Sequence, residues 1–292
     1  MTMTLSRDSA ASDTSDIFIT GAAGRLAVRC KGLAAKPGQV VILVQGANIT
    51  GQLGYDLKVE GGADYSFMDA LVARGLGAVT FSVRGYGASD MPPNPLDVDT
   101  DAAIEDLDAV MRWLATQGYK RPHLLGWSWG GRITGRFAEA QGARLDRLVM
   151  LDPALGGGNK IPFDPPSPVW RNTAAYFMDR LEDEFMELAA RESLSRQAEA
   201  TELVAPNGIR LENSIGSIRP RADLIGNPTL MLYGHAAGQQ NYMQGGVTRT
   251  EFFETLKTRD KALVIVSGGG DYAHIQNPRR TIHKIVADFL LS

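Results

Sequence analysis

The chain has one cysteine, Cys30, and only four histidines among 292 residues. A single cysteine excludes an intramolecular disulfide framework and a multi-cysteine zinc or iron–sulfur site, and four histidines leave few ligands for any other metal. Charge of one sign is also missing: 30 Lys and Arg stand against 33 Asp and Glu, a formal net charge of −3. That balance gives no global pull toward nucleic acid or an anionic membrane. The apolar runs, such as Val40–Val44 and Ala262–Val266, are far too short to span a bilayer. The first 16 residues are rich in Ser, Thr, Asp and Ala, lack the apolar core of a signal peptide and read as a disordered leader. A cytoplasmic location is the expectation.

What is present is a composition of 44% hydrophobic and 22% charged residues, that of a globular protein with a large core. Short runs of Val, Ile and Leu alternate with longer segments of helical period, which predicts an α/β fold of buried parallel strands joined by crossover helices. Phe18–Gly21 and Arg25–Lys31 read as an opening antiparallel pair. Val40–Val44, Ala78–Val83, His123–Gly126, Leu148–Leu151, Thr229–Tyr233 and Leu263–Val266 read as the strands that follow. Helices are expected over Tyr65–Arg74, from a Thr100 cap, from near Gly130 and over Pro278–Leu291. Between Asp152 and about Asp223 no strand-like run occurs. An irregular Pro-rich start, Gly156–Pro168, gives way to helical patterning through Tyr176, Phe177, Leu181, Phe185 and Leu188. Residues 153–222 are therefore expected to form a helical cap inserted into a core built from residues 17–152 and 223–292.

Gly126-Trp127-Ser128-Trp129-Gly130 is a G-x-S-x-G motif between an apolar strand and a helix. A strand that reverses into a helix within about one residue forces its turn residue into a strained conformation, and side chains two positions to either side would collide, hence Gly126 and Gly130. The serine oxygen is then exposed above the sheet, and the helix N-terminus offers N–H groups to an oxyanion.

From Asp16 onward the chain resembles the α/β-hydrolase superfamily. The elbow, the strand ending Val44-Gln45-Gly46, the turn Arg84-Gly85-Tyr86-Gly87-Ala88-Ser89 and the loop Gly270-Asp271-Tyr272-Ala273-His274-Ile275-Gln276-Asn277-Pro278 carry the resemblance. It implies a mostly parallel sheet flanked by helices, with an inserted cap, and a serine nucleophile served by a histidine and a carboxylate. His274 is expected as the base because the family carries its histidine in that late loop; His123, His235 and His283 fit less well. Two departures stand out. Asp271 occupies the first slot of the late loop, where the family pattern has histidine, so His274 serves only if the loop is shifted. The turn Tyr233–Gly238 lacks the usual acid, which leaves Asp152, placed as in haloalkane dehalogenases and some bacterial esterases, as the expected acid and Asp271 as the alternative.

Trp129 and Ala47 are the expected backbone N–H donors of the oxyanion hole, with Gln45 bracing the second loop and Arg84 pairing a nearby carboxylate or carbonyl. Trp127, Trp170 and Phe177 are candidates to line a partly apolar substrate pocket, and Phe163 and Tyr176 join them in the cap. The sequence reading is a serine esterase acting on a small-molecule carboxylic ester or lactone, needing no metal or organic cofactor and no nucleic-acid or membrane partner. A silent hydrolase-fold binding protein, and a C–C bond hydrolase or acyltransferase, are the alternatives; oligomeric state is open.

Overall fold

The computed structural model describes residues 13–36, 38–62, 64–156, 167–181, 184–237 and 248–292. Ten strands occur among them: β1 (Thr14–Gly21), β2 (Gly24–Lys31), β3 (Val40–Val44), β4 (Gly77–Phe81), β5 (His123–Trp127), β6 (Leu148–Leu151), β7 (Val169–Arg171), β8 (Val204–Pro206), β9 (Thr229–Gly234) and β10 (Lys261–Val266). Eight form one sheet in the order β1-β2-β4-β3-β5-β6-β9-β10. β1, β2 and β4 pair antiparallel; from β4 to β10 the pairing is parallel.

The helices are α1 (Gly51–Tyr55), α2 (Phe67–Val72), α3 (Thr100–Thr116), α4 (Trp129–Gln141), α5 (Ala174–Arg180), α6 (Leu188–Thr201), α7 (Gly208–Ile215), α8 (Arg249–Thr255) and α9 (Arg279–Leu291). None is long and apolar enough to cross a membrane. Strand residues alternate between two cores. Val40, Ile42 and Val44 pack with Leu107 and Leu114 of α3 and with Ile133 and Phe137 of α4. Val41 and Leu43 face the other way, toward Phe67 and Leu71 of α2 and Ile282 and Leu290 of α9. Burial on both faces is why these strands read as unbroken apolar runs.

Three differences from the sequence reading stand out. Thr14–Asp16, expected in a disordered leader, belong to β1, with Asp16 bonded to Arg29; residues 1–12, on which the rest of that expectation falls, lie outside those described. Asp99, not Thr100, caps α3, its carboxylate accepting from the Ala102 N–H at 2.9 Å. The insertion after β6 contains, besides α5, α6 and α7, a two-stranded ribbon of β7 and β8 that three-residue strands are too short to announce as a pattern. Most of the Pro-rich stretch, with Phe163, and Gly238 of the acid turn lie outside the described residues.

Registers fix the working edge. Trp127 lies opposite Leu151 and Leu151 opposite Leu232, so Ser128, Asp152 and Tyr233 leave adjacent parallel strands at one level. β3 sits between β4 and β5, where the order of strands reverses, and the crevice at such a point is where open α/β sheets bind ligands.

Candidate active site

Ser128 stands between β5 and α4 with φ 54° and ψ −115°, a backbone region that costs a non-glycine residue about 1–3 kcal/mol. Its N–H is anchored to the Leu151 carbonyl (3.0 Å), and its own carbonyl accepts from Gly131 (3.0 Å) and Ala154 (2.9 Å). The flanking glycines are sterically required: a Cβ on Gly126 would lie 2.1 Å from the Gly130 oxygen, and one on Gly130 2.3 Å from the Val44 oxygen.

Ser128 opens into a cavity of about 270 Å³ that Ala47, Trp127, Trp129, Tyr176, Arg210 and Asp271 help to line. The Trp129 N–H, first in its helix, has no intrahelical partner, and no hydrogen bond takes the Ala47 N–H among the described residues. Both residues line the same cavity as Ser128. The Ala47 loop is held by Tyr86, whose hydroxyl donates to the Ala47 carbonyl (3.0 Å), and by Gln45, whose Oε1 accepts from the Val83 N–H (3.0 Å). Arg84 donates to the buried Asp106 and pins the glycine-rich turn beside it.

His274 is not brought to Ser128. It is fully buried, with its ring 4.7 Å from Trp127 and 5.5 Å from Tyr55, and Nε2–H donates to the Gly54 carbonyl at 3.1 Å. Burial, with neighbouring His283 as a second cause, drops its pKa to about 3, so the ring is neutral packing. Trp127 Nε1 donates to the Asp271 carbonyl (2.7 Å) and holds Asp271, in the family's histidine slot, against the cavity. The remaining histidines are elsewhere: His123 is buried at the start of β5, His283 donates to the His274 carbonyl, and His235 is exposed after β9.

Asp152 is buried, has φ 42° and accepts the Gly234 N–H through Oδ1 at 3.0 Å. Gly234 in turn abuts the late loop, since a Cβ there would lie 2.4 Å from the Gly269 oxygen. Asp152 is thus beside the segment leading to Asp271, while His274 lies beyond Trp127. Of the expected pocket aromatics, Trp127 lines the cavity. Phe177, on α5, is fully buried in the core against Tyr176, and Trp170, on the short strand β7, lies against Arg210 and does not line the cavity.

Charged residues missed in the sequence complete the lining: Arg132, Arg180, Arg210 and, beside them, Asn48 and Asn213. The signal was helical spacing, four residues from Tyr176 to Arg180 on α5 and three from Arg210 to Asn213 on α7, which puts each pair on one face. No group of three or more His, Cys, Asp and Glu that could hold a metal ion occurs among the described residues. The cavity thus brings together a serine in a strained turn, the Trp129 and Ala47 backbones and the carboxylate of Asp271.

Comparison with known proteins agrees with this frame. Over 87 residues the chain is 41% identical to an N-formylmaleamate deformylase of Pseudomonas putida, a match covering 30% of this chain and 31% of that protein. The aligned part therefore spans about a third of that relative's length. A bromoperoxidase structure from Bacillus anthracis superposes with a TM-score of 0.69 at 16% identity, covering 95% of this chain and 100% of the other. A monoacylglycerol lipase from Paleococcus ferrophilus does so at 0.62 and 19% identity, over 86% and 93%. Residues 41–284 match the alpha/beta hydrolase family, and with the elbow and the parallel sheet behind it the chain belongs to that family.

Proposed function

We propose that the protein is a serine hydrolase of small carboxylic esters or related acyl compounds, with Ser128 as nucleophile and the Asp271 carboxylate as proton acceptor. The observation that carries this reading is Ser128 itself: a strained elbow serine, half-buried, in a cavity it shares with the Trp129 and Ala47 backbones. Asp271 takes the hydroxyl proton as Oγ bonds to the acyl carbon, and the two N–H groups hold the oxyanion. The carbon–oxygen bond to the alcohol then breaks, and the leaving oxygen takes the proton from Asp271. Water repeats the sequence on the acyl-enzyme, giving its proton to Asp271, releasing the acid and returning a proton to Ser128. Asp152 supports the loop that carries Asp271, through Gly234. The partial likeness to a deformylase is in keeping with acyl transfer to water.

A second reading, ligand binding without turnover, draws on the lack of any histidine among the described residues lining the cavity. A fluorophosphonate probe separates the two. Labelling mapped to Ser128, together with hydrolysis of p-nitrophenyl acetate that Ser128→Ala abolishes, supports the hydrolase. An unlabelled serine and background rates in folded protein defeat it.

A further inference from the structure

Among the described residues, the cavity at Ser128 carries more positive charge than its protein partners neutralise. Three arginines and one aspartate are its charged lining. Arg132 Nη1 is paired with Glu212 Oε1 at 3.0 Å, and Arg180 Nη2 with Asp271 Oδ2 at 3.2 Å. Arg210 has only neutral partners. Its Nη1 donates to Asn207 Oδ1 and its Nη2 to Asn48 Oδ1, both at 3.0 Å, and its guanidinium lies 4.2 Å from the centroid of the Trp170 ring. Among the described residues it forms no ion pair.

An arginine held this way is positioned before any ligand arrives. The two asparagines and the indole face fix the plane of the fork, and a planar fork of fixed orientation is suited to a carboxylate. Asn48 follows Ala47 in the chain, so the guanidinium is bonded to the residue next to the one whose N–H is proposed to hold the oxyanion. Burial holds the Arg210 pKa below its ordinary value, with no carboxylate to offset it. A partly buried cation without a counter-ion is costly in the empty protein, and an anion entering the cavity removes that cost.

We infer that the cavity takes an acyl compound bearing a second, anionic group, a carboxylate at the end remote from the scissile bond, and that Arg210 binds that group. This rests on the reading of Ser128 as the attacking residue, and binding can be measured apart from turnover. Calorimetric titration of Ser128→Ala with glutarate and with the neutral diamide glutaramide tests it. Glutarate should bind at least about tenfold more tightly, Arg210→Gln should remove the difference, and Arg210→Lys, which keeps the charge but not the fork, should retain part of it. In the wild-type protein, p-nitrophenyl hydrogen glutarate should exceed p-nitrophenyl pentanoate in kcat/KM after correction for spontaneous hydrolysis. Equal binding of the two probes overturns the inference, and needs no variant at Arg210. Equal glutarate affinity of Arg210→Gln and its parent also overturns it. Glutarate binding without turnover of any ester supports the anion site and defeats the hydrolase reading; turnover without discrimination does the reverse.

Discussion

Placing an imidazole where Asp271 now stands should convert the site into a more efficient one, provided a neighbouring charge is removed as well. Residue 271 is held at the cavity by the bond from Trp127 Nε1 to its carbonyl, and Asp152 lies on its other side, through Gly234 and Gly269. On the function proposed above, a histidine there would stand between Ser128 and the Asp152 carboxylate, which could then orient it. A well-placed general base of suitable pKa is worth about 10²–10⁴ in rate. Arg180 opposes this: its Nη2 now lies 3.2 Å from Asp271 Oδ2, and a cation at that range would face the imidazolium formed during reaction. At about 4 Å and an effective dielectric of about 20, the repulsion is about 4 kcal/mol, roughly three orders of magnitude in rate, as large as the gain. The informative variant is therefore Asp271→His combined with Arg180→Gln. Its initial rate on p-nitrophenyl acetate should exceed wild type by about 10²-fold, rise with pH as the imidazole loses its proton, and vanish when Ser128→Ala is added. A folded double variant that is no faster than wild type, or whose activity survives loss of Ser128, would show that residue 271 does not lie between Ser128 and Asp152 as argued.

Ser128→Ala in the wild-type background should lower ester turnover by on the order of 10³ or more with the circular dichroism spectrum retained. His274→Ala should cost roughly 2–4 kcal/mol of stability, seen as a Tm several degrees lower, with the pH–rate profile in the shape of the wild type; loss of a kinetic pKa in that variant would return His274 to the chemistry. Glu202, reaching from the end of α6 to the Thr50 N–H at 2.6 Å, has its pKa raised by burial from 4.5 to about 7. The folded protein thus holds this proton more tightly than the unfolded chain, so the stabilisation is complete below pH 4.5 and disappears as pH rises through about 7. Its full size is roughly 3 kcal/mol, and urea midpoints of Glu202→Gln should lack that fall; an unchanged pH dependence would remove Glu202 as its source.

Local sterics carried the legible part of this protein. Gly126 and Gly130 are demanded by contacts within a few residues of Ser128, and strands buried on both faces have to be apolar throughout, so elbow, strand positions and fold could be read along the chain. The places of Ala47 and Trp129 beside the cavity were legible too, because they depend on the ends of β3 and β5. The late loop was different. Asp271 and His274 are three residues apart, and nothing within the loop says which one lines the cavity. That was decided by Trp127, whose Nε1 grips the Asp271 carbonyl while its ring and that of Tyr55 pack against His274. The pocket was hidden for the same reason. Phe177 and Trp170 advertised themselves by hydrophobicity, yet one filled the core and the other became a platform for Arg210. An arginine in the sequence reads as a solvated surface charge. Only the folding of α5, α7 and the Asn48 loop onto one cavity shows that Arg132 and Arg180 are neutralised by carboxylates while Arg210, among the described residues, is not, since charge pairing depends on distances between segments far apart in the chain.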